Sequence, residues 1–258
     1  MIQVAGNIGR KTIHFANHIL DLFAFTYRIL KLIFKRQEYG RAIVRRVILE
    51  QIYFTCVQAL SIIVPVALLV GSMLIIEFTK ISVQYDLGKI TVILLVRELG
   101  PIITAFLVIL RSATAVTIEI GYMNVLHEIE AFEMAGIDPM RIICLPRLVG
   151  ITSAVFCLFI VFDLVSIVGG YCLVWFTTHI PMGDFLGQIG KAITAADIAV
   201  GIVKAICFGI IITVTSLKHG FQIRKNITQI PPGTSRAAIE SVIFCLISNV
   251  IISAIFYM

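Results

Sequence analysis

Apolar residues run along this chain in long blocks rather than in alternation, and five of the blocks are long enough to cross a bilayer. They cover approximately 52–76, 90–110, 145–176, 196–217 and 237–257. A helical span needs about 20 mostly apolar residues, and in hydrocarbon a single segment satisfies its backbone only by bonding within itself. The pattern therefore predicts an all-α, polytopic membrane protein with five transmembrane helices. The third block is long for one span, and Gly169-Gly170 near its end is where a bend is expected.

Two shorter amphipathic stretches flank these blocks. Residues 8–50 mix Ile19, Leu22, Phe23, Ile29, Leu30 and Ile33 with Arg28, Lys31, Lys35 and Arg36, the pattern of a helix lying in the headgroup plane. The chain thus divides into an interfacial amphipathic segment, 1–50, and a five-span membrane domain, 51–258. Between the second and third spans, residues 123–135 predict a short helix with Val125, Ile129 and Phe132 on one stripe and Glu128, Glu130 and Glu133 elsewhere. Gly136 and then Asp138-Pro139 end it. A helix resting on anionic lipid favours a basic polar face; this face is acidic, which points to docking of another protein.

Composition excludes the alternatives to a membrane protein. Hydrophobic residues make up 59% of the chain and charged residues 14%, against roughly 45–50% and about 25% in soluble domains. The net charge of +6 carries no basic soluble domain with it, so nucleic acid is not a partner. Its distribution sets an orientation instead. Sixteen Lys and Arg fall in the N-terminal segment and the second and fourth connections, while three, Lys80, Lys89 and Lys191, fall on the other side. By the positive-inside rule the N-terminus is cytoplasmic and the C-terminus is outside.

Catalytic signatures are missing. The nearest string to a phosphate-binding loop, GQIGKAIT over 187–194, lacks its first glycine and has Ala192 where a magnesium-binding hydroxyl belongs, and no H-E-x-x-H, G-x-S-x-G or G-x-G-x-x-G occurs. The six cysteines form no C-x-x-C pair, and no metal site is expected. The remaining signal is charge inside the spans, which costs roughly 2.5–3.5 kcal/mol per group at a helix centre. Arg97, Glu98, Lys204 and Asn249 share one depth in three spans and are candidates for a single site. They either neutralise one another and pin the bundle or meet a lipid headgroup. Val66, Leu69, Val70 and Met73 of the first span and Ile247, Val250 and Ile251 of the fifth are suitable walls for acyl tails. Arg111, Glu119, Arg147 and Asp163 are expected to fix the docking connection.

A chain of motifs adds a family resemblance. LVRELGP over 95–101, Arg111, EIGYM over 119–123, IEAFE over 129–133, GIDP over 136–139, LPR over 145–147, Asp163 before Gly169-Gly170, and TSRA over 234–237 follow one another in order. In that order they resemble the MlaE-type permeases, the membrane subunits of ABC transporters associated with MCE proteins. The resemblance covers about residues 45–257. It implies a homodimer in the bacterial inner membrane that moves phospholipid or a related lipid to or from a periplasmic MCE protein. ATP would be bound by a separate cytoplasmic ATPase, docked through Glu119, Val125, Glu128, Ile129, Glu130, Phe132 and Glu133, and a small cytoplasmic accessory subunit fits the same scheme. No cofactor is expected in this chain. The rival reading, an ion-gradient-driven secondary transporter or channel, would often show paired repeats with matching broken helices. An odd number of spans and the lack of an internal repeat weigh against it.

Overall fold

A computed structural model describes residues 19–32, 41–81, 93–172, 193–223 and 226–257, with the single positions Ile13, Asn17, Trp175, Gly183 and Gly187. Much of the predicted interfacial segment, including Ile33, Lys35 and Arg36, lies outside these residues, as do the connections that hold Lys89 and Lys191. The described chain forms helix α1 over 19–32 and then α2 (Val44–Glu77), α3 (Leu95–Val125), the short α4 (Glu128–Met134), α5 (Met140–Cys172), α6 (Ala195–Gln222) and α7 (Ile227–Phe256). Five of them, α2, α3, α5, α6 and α7, are long and apolar enough to cross a membrane. The chain is a multi-pass membrane protein.

Helix α6 is the centre of the bundle. It packs on α7, α5 and α3, while α2 leans on α5 and α3 also meets α7. Phe162, Phe208, Ile120, Ile151, Leu158 and Leu217 are fully buried where these helices meet. In a bilayer apolar burial alone does not favour helix association, so close backbone approach matters more. A Cβ on Gly71 of α2 would collide with the carbonyl of Ser166 in α5, and one on Gly170 would strike the backbone of Gly71.

Helix α1 crosses α6 rather than running beside it. Leu22 and Phe23 reach the seam between α6 and α7, Phe25 meets the Phe221 ring edge-on at 6.3 Å, and Leu30 reaches α5 at Leu148 and Thr152. Leu22 and Ile29 are buried, whereas Arg28 and Lys31 are exposed.

The structure corrects three boundaries. The second span does not stop near Leu110: α3 continues through Arg111 and Glu119 to Val125. The helix predicted over 123–135 is broken, because His127 takes a left-handed conformation (φ 59°) and the chain restarts as α4 at Glu128. Glu119 and Val125 therefore belong to α3. The bend expected at Gly169-Gly170 is replaced by a wide turn, a π-helical segment over Val165–Gly169, and the helix continues to Cys172. Similar π segments interrupt α2 at Tyr53–Val57 and α3 at Ile109–Ala113, and another, Ile93–Leu99, leads into α3.

Candidate functional site

Glu98, Lys204 and Asn249 meet as their common depth predicts, and Ser253 joins them. Lys204 is fully buried and its ammonium donates to the Arg97 carbonyl (2.7 Å), Glu98 Oε1 (3.1 Å) and Ser253 Oγ (2.7 Å). An ammonium carries three protons, so this inventory is complete. The Ser253 hydroxyl in turn donates to Glu98 Oε1 at 2.7 Å, and Asn249 Nδ2 donates to Glu98 Oε2 at 2.7 Å. One carboxylate thereby ties α3 to both α6 and α7.

The Arg97 side chain leaves this group. Its Nη2 lies 2.6 Å from Asp197 Oδ1, and Asp197 is 1% exposed. Asp197 Oδ2 also accepts from the backbone N–H (3.0 Å) and hydroxyl (2.7 Å) of Thr194, closing a capping box at the start of α6. Two neutral pairs thus sit side by side, Lys204 with Glu98 and Arg97 with Asp197. Neither Asp197 nor Ser253 was singled out in the sequence. Thr194 followed three residues later by an acid was a readable capping signal, whereas a serine in an apolar run carries none.

The expected cavity walls divide. Leu69 and Met73 on α2 are 69% and 68% exposed, and Ile247, Val250 and Ile251 on α7 are exposed as well. Val66 and Val70 instead turn inward against the core.

At the other end of the bundle α4 presents the amphipathic face the sequence predicts. Ile129 is buried and Phe132 packs against the core, while Glu128, Glu130 and Glu133 are exposed. Gly136 (φ 73°) ends the helix: its N–H bonds to the Glu133 carbonyl, and the Ile137 N–H reaches Phe132 O at 2.9 Å. Asp138 Oδ1 then accepts the Met140 N–H at the start of α5.

The ends of the flanking helices are fixed by polar side chains. Glu119 Oε1 lies 2.7 Å from Arg147 Nη2, linking α3 to α5, and Asn124 Nδ2 donates to the carbonyls of Phe221 and Ile223, both at 2.9 Å. Those are carbonyls at the end of α6, which have no intrahelical partner. His219 and Glu240 pair at 2.5 Å between α6 and α7. Arg111 reaches α2, donating to the Phe54 carbonyl (2.9 Å) and Gln58 Oε1 (2.8 Å) with its guanidinium over the Phe54 ring. Asp163 stands apart: it is buried, Oδ1 has no hydrogen-bond partner among the described residues, and a Cβ on Gly100 would strike that oxygen.

Known proteins match along the whole chain. It is 25% identical over 261 residues to a "Probable ABC transporter permease protein" of Rickettsia felis, covering 100% of this chain and 99% of that one. The "Intermembrane phospholipid transport system permease protein MlaE" of Haemophilus influenzae is 27% identical over 215 residues, 81% of this chain and 82% of its own. "Protein TRIGALACTOSYLDIACYLGLYCEROL 1, chloroplastic" of Arabidopsis thaliana is 24% identical over 181 residues, 70% of this chain and 52% of its own. The model of the family described as "Permease MlaE" matches residues 48–255, all five spans with α4 between them, and the chain belongs to that family.

Proposed function

We propose that this chain is the permease subunit of an ABC transporter that moves phospholipid between the bacterial inner membrane and a periplasmic MCE protein, powered by a separate cytoplasmic ATPase. Membership of the MlaE permease family over residues 48–255 carries the reading, and the name of the Haemophilus influenzae relative supports phospholipid as the cargo. The Lys and Arg asymmetry supports a cytoplasmic α4 and N-terminus and a periplasmic C-terminus.

In this reading the ATPase docks on α4. The helix is anchored by Ile129 and Phe132, offers Glu128, Glu130 and Glu133, and stands between two spans joined by the Glu119–Arg147 pair. A push on α4 therefore passes into α3 and α5 together. In a homodimer the exposed apolar faces of α2 (Leu69, Met73) and α7 (Ile247, Val250, Ile251) would form the walls for the acyl tails. The saturated bonding of Lys204 favours a pinning role for the polar cluster. Any headgroup contact falls to the partly exposed side of Arg97 and Glu98.

The test is a Glu130→Lys, Glu133→Lys double variant, reconstituted with its co-purifying subunits. The expected result is loss of the ATPase from the complex, or ATP hydrolysis no longer coupled to phospholipid movement, with the five spans still inserted. An intact complex with unchanged coupled transport would overturn the docking assignment.

A further inference from the structure

Arg111 differs from the cations that pin the bundle. Arg97, Arg147 and Lys204 each face a carboxylate, whereas Arg111 bonds only to neutral groups, with no acid in ion-pair distance among the described residues. The backbone prepares its place. The π segments Tyr53–Val57 of α2 and Ile109–Ala113 of α3 lie against each other. Where the first ends, the Gln58 N–H turns to the Tyr53 carbonyl and the Ala59 N–H to that of Cys56. Neither reaches the Phe54 carbonyl, and Arg111 takes it. Gln58 Oε1 accepts a second N–H, and the Phe54 ring lies 4.9 Å from the guanidinium carbon. Of five guanidinium N–H groups three remain, on a side chain that stays partly exposed. The cation is held in place without being neutralised.

Its depth narrows the choice of counter-charge. Gln58 lies eight residues inside Glu50 on α2 and Arg111 eight inside Glu119 on α3, about 12 Å in each case. A charge at that depth is costly unless it meets an opposite one or a wet cavity. The described spans of a second copy bring no free acid to that level. Glu50, Glu98, Glu119, Asp197 and Glu240 are each paired within the chain, Asp163 is buried, and Glu77 ends α2 on the far side. The anion that the surrounding medium does supply is a lipid phosphate, whose oxygens suit the guanidinium fork.

The apolar surface beside Arg111 suits the rest of such a molecule. On α2 an exposed run leads from Gln58 through Ile62 and Pro65 to Leu69 and Met73. It is about 22 Å long, more than the roughly 15 Å that the tails of one leaflet fill. We propose that Arg111 is a phosphate subsite at the foot of the α2 wall, holding the phosphate of a phospholipid whose tails lie along Ile62, Leu69 and Met73. That this lipid is cargo rests on the permease reading. Arg97 and Glu98 stand about 21 Å away along α3, near Ile75 of α2 through Val96, so the two places meet a headgroup at opposite ends of one wall.

The experiment places the full chain, with its co-purifying subunits, in phosphatidylethanolamine vesicles carrying a trace of one of two probes. Both have the same tails with a mid-chain diazirine; one is phosphatidylethanolamine, the other diacylglycerol, which lacks the phosphate. After photolysis without ATP, adducts on Ile62 and Leu69 are measured by mass spectrometry against those on Leu164, an exposed position of α5. The expected result is about fivefold more adduct at Ile62 and Leu69 from the phosphate-bearing probe, and no difference at Leu164. Gln58→Glu gives Arg111 a carboxylate while keeping the bond between the two side chains. It should erase the preference without lowering the unfolding temperature, which separates phosphate binding from the pinning of α2 to α3. Arg111→Lys should keep part of the preference. No preference in the unaltered chain, a preference that survives Gln58→Glu, or a less stable Gln58→Glu chain would overturn the proposal. Loss of the preference in excess inorganic phosphate would identify a site for the free ion, and a photoreactive residue at Ile62 that joins a second chain would identify a protein interface; either overturns it equally. Because labelling is read without ATP, a preference sensitive to Gln58→Glu in a complex that moves no lipid would keep the subsite and remove the transport reading.

Discussion

Arg97 of α3 and Asp197 of α6 form an ion pair at 2.6 Å in which the acid is also the third residue of the capping box that Thr194 begins. The two roles use different oxygens and can be separated by mutation. Asp197→Asn preserves an oxygen for Thr194 and loses the charge; Asp197→Ala loses both. Ala should be the more destabilising by about 1 kcal/mol, the usual net worth of a hydrogen bond, because it also removes the acceptor of the Thr194 N–H and hydroxyl. Thermal unfolding of the two variants in one detergent checks the order, and equal losses would show that the cap contributes nothing.

Lys204 and Glu98 should behave as a unit. Removing Glu98 leaves the fully buried Lys204 ammonium without its counter-charge, a loss of about 3–5 kcal/mol, whereas removing Lys204 leaves a half-buried carboxylate that Asn249 and Ser253 still bond, a smaller loss. Lys204→Met and Glu98→Gln are each expected to lower the unfolding temperature, Glu98→Gln the more strongly, and the double variant is expected to recover part of the loss. Additive losses in the double-mutant cycle would contradict the pairing.

Asn124 closes the end of α6. Asn124→Leu leaves two carbonyls unbonded, at about 1–3 kcal/mol for each one kept from water. Hydrogen exchange should rise in the last turn of α6, around Gly220–Gln222, with the middle of the helix unchanged.

The contact of α2 with α5 is backbone to backbone at Gly71. Gly71→Val should separate the two helices, because the obstacle is the main chain of Ser166 rather than a movable side chain. A fall in unfolding temperature and in detergent stability is expected, in contrast to a silent Ser72→Ala.

Orientation has its own measurement. A cysteine at Ser82, in a chain freed of its native cysteines, should react with a membrane-impermeant maleimide in spheroplasts, and one at Asn226 should not. The reverse pattern would invert the molecule.

Apolar blocks made the five spans legible, and the helical repeat placed Ile129 and Phe132 on the inner side of α4. Where hydropathy misjudged an end, charged residues were responsible. Arg111 and Glu119 lower the average and close the second span by hydropathy, yet each has a partner on a neighbouring helix, α2 or α5, so the helix runs on. The break at His127 is a single left-handed residue and leaves no periodic trace. Depth along the spans brought Glu98, Lys204 and Asn249 together correctly, but not Arg97, since depth says nothing about which side of a helix a long side chain takes. Depth also does not separate Val66 and Val70, half-buried against the core, from Leu69 and Met73, which stay exposed on the same helix.

The clamps at the two ends of α6 also limit its motion. Arg97 holds one end through Asp197 and Asn124 holds the other, and both belong to α3. With 28 residues at about 1.5 Å of rise, the clamps stand roughly 40 Å apart. A helix fastened near one point can still slide or turn like a screw. One fastened at both ends to the same neighbour loses those two freedoms and keeps rocking together with it. If an ATPase docks on α4 as proposed, its stroke would reach the far polar cluster as a tilt of the α3–α6 pair, with the leverage of a long beam and without backlash along its axis.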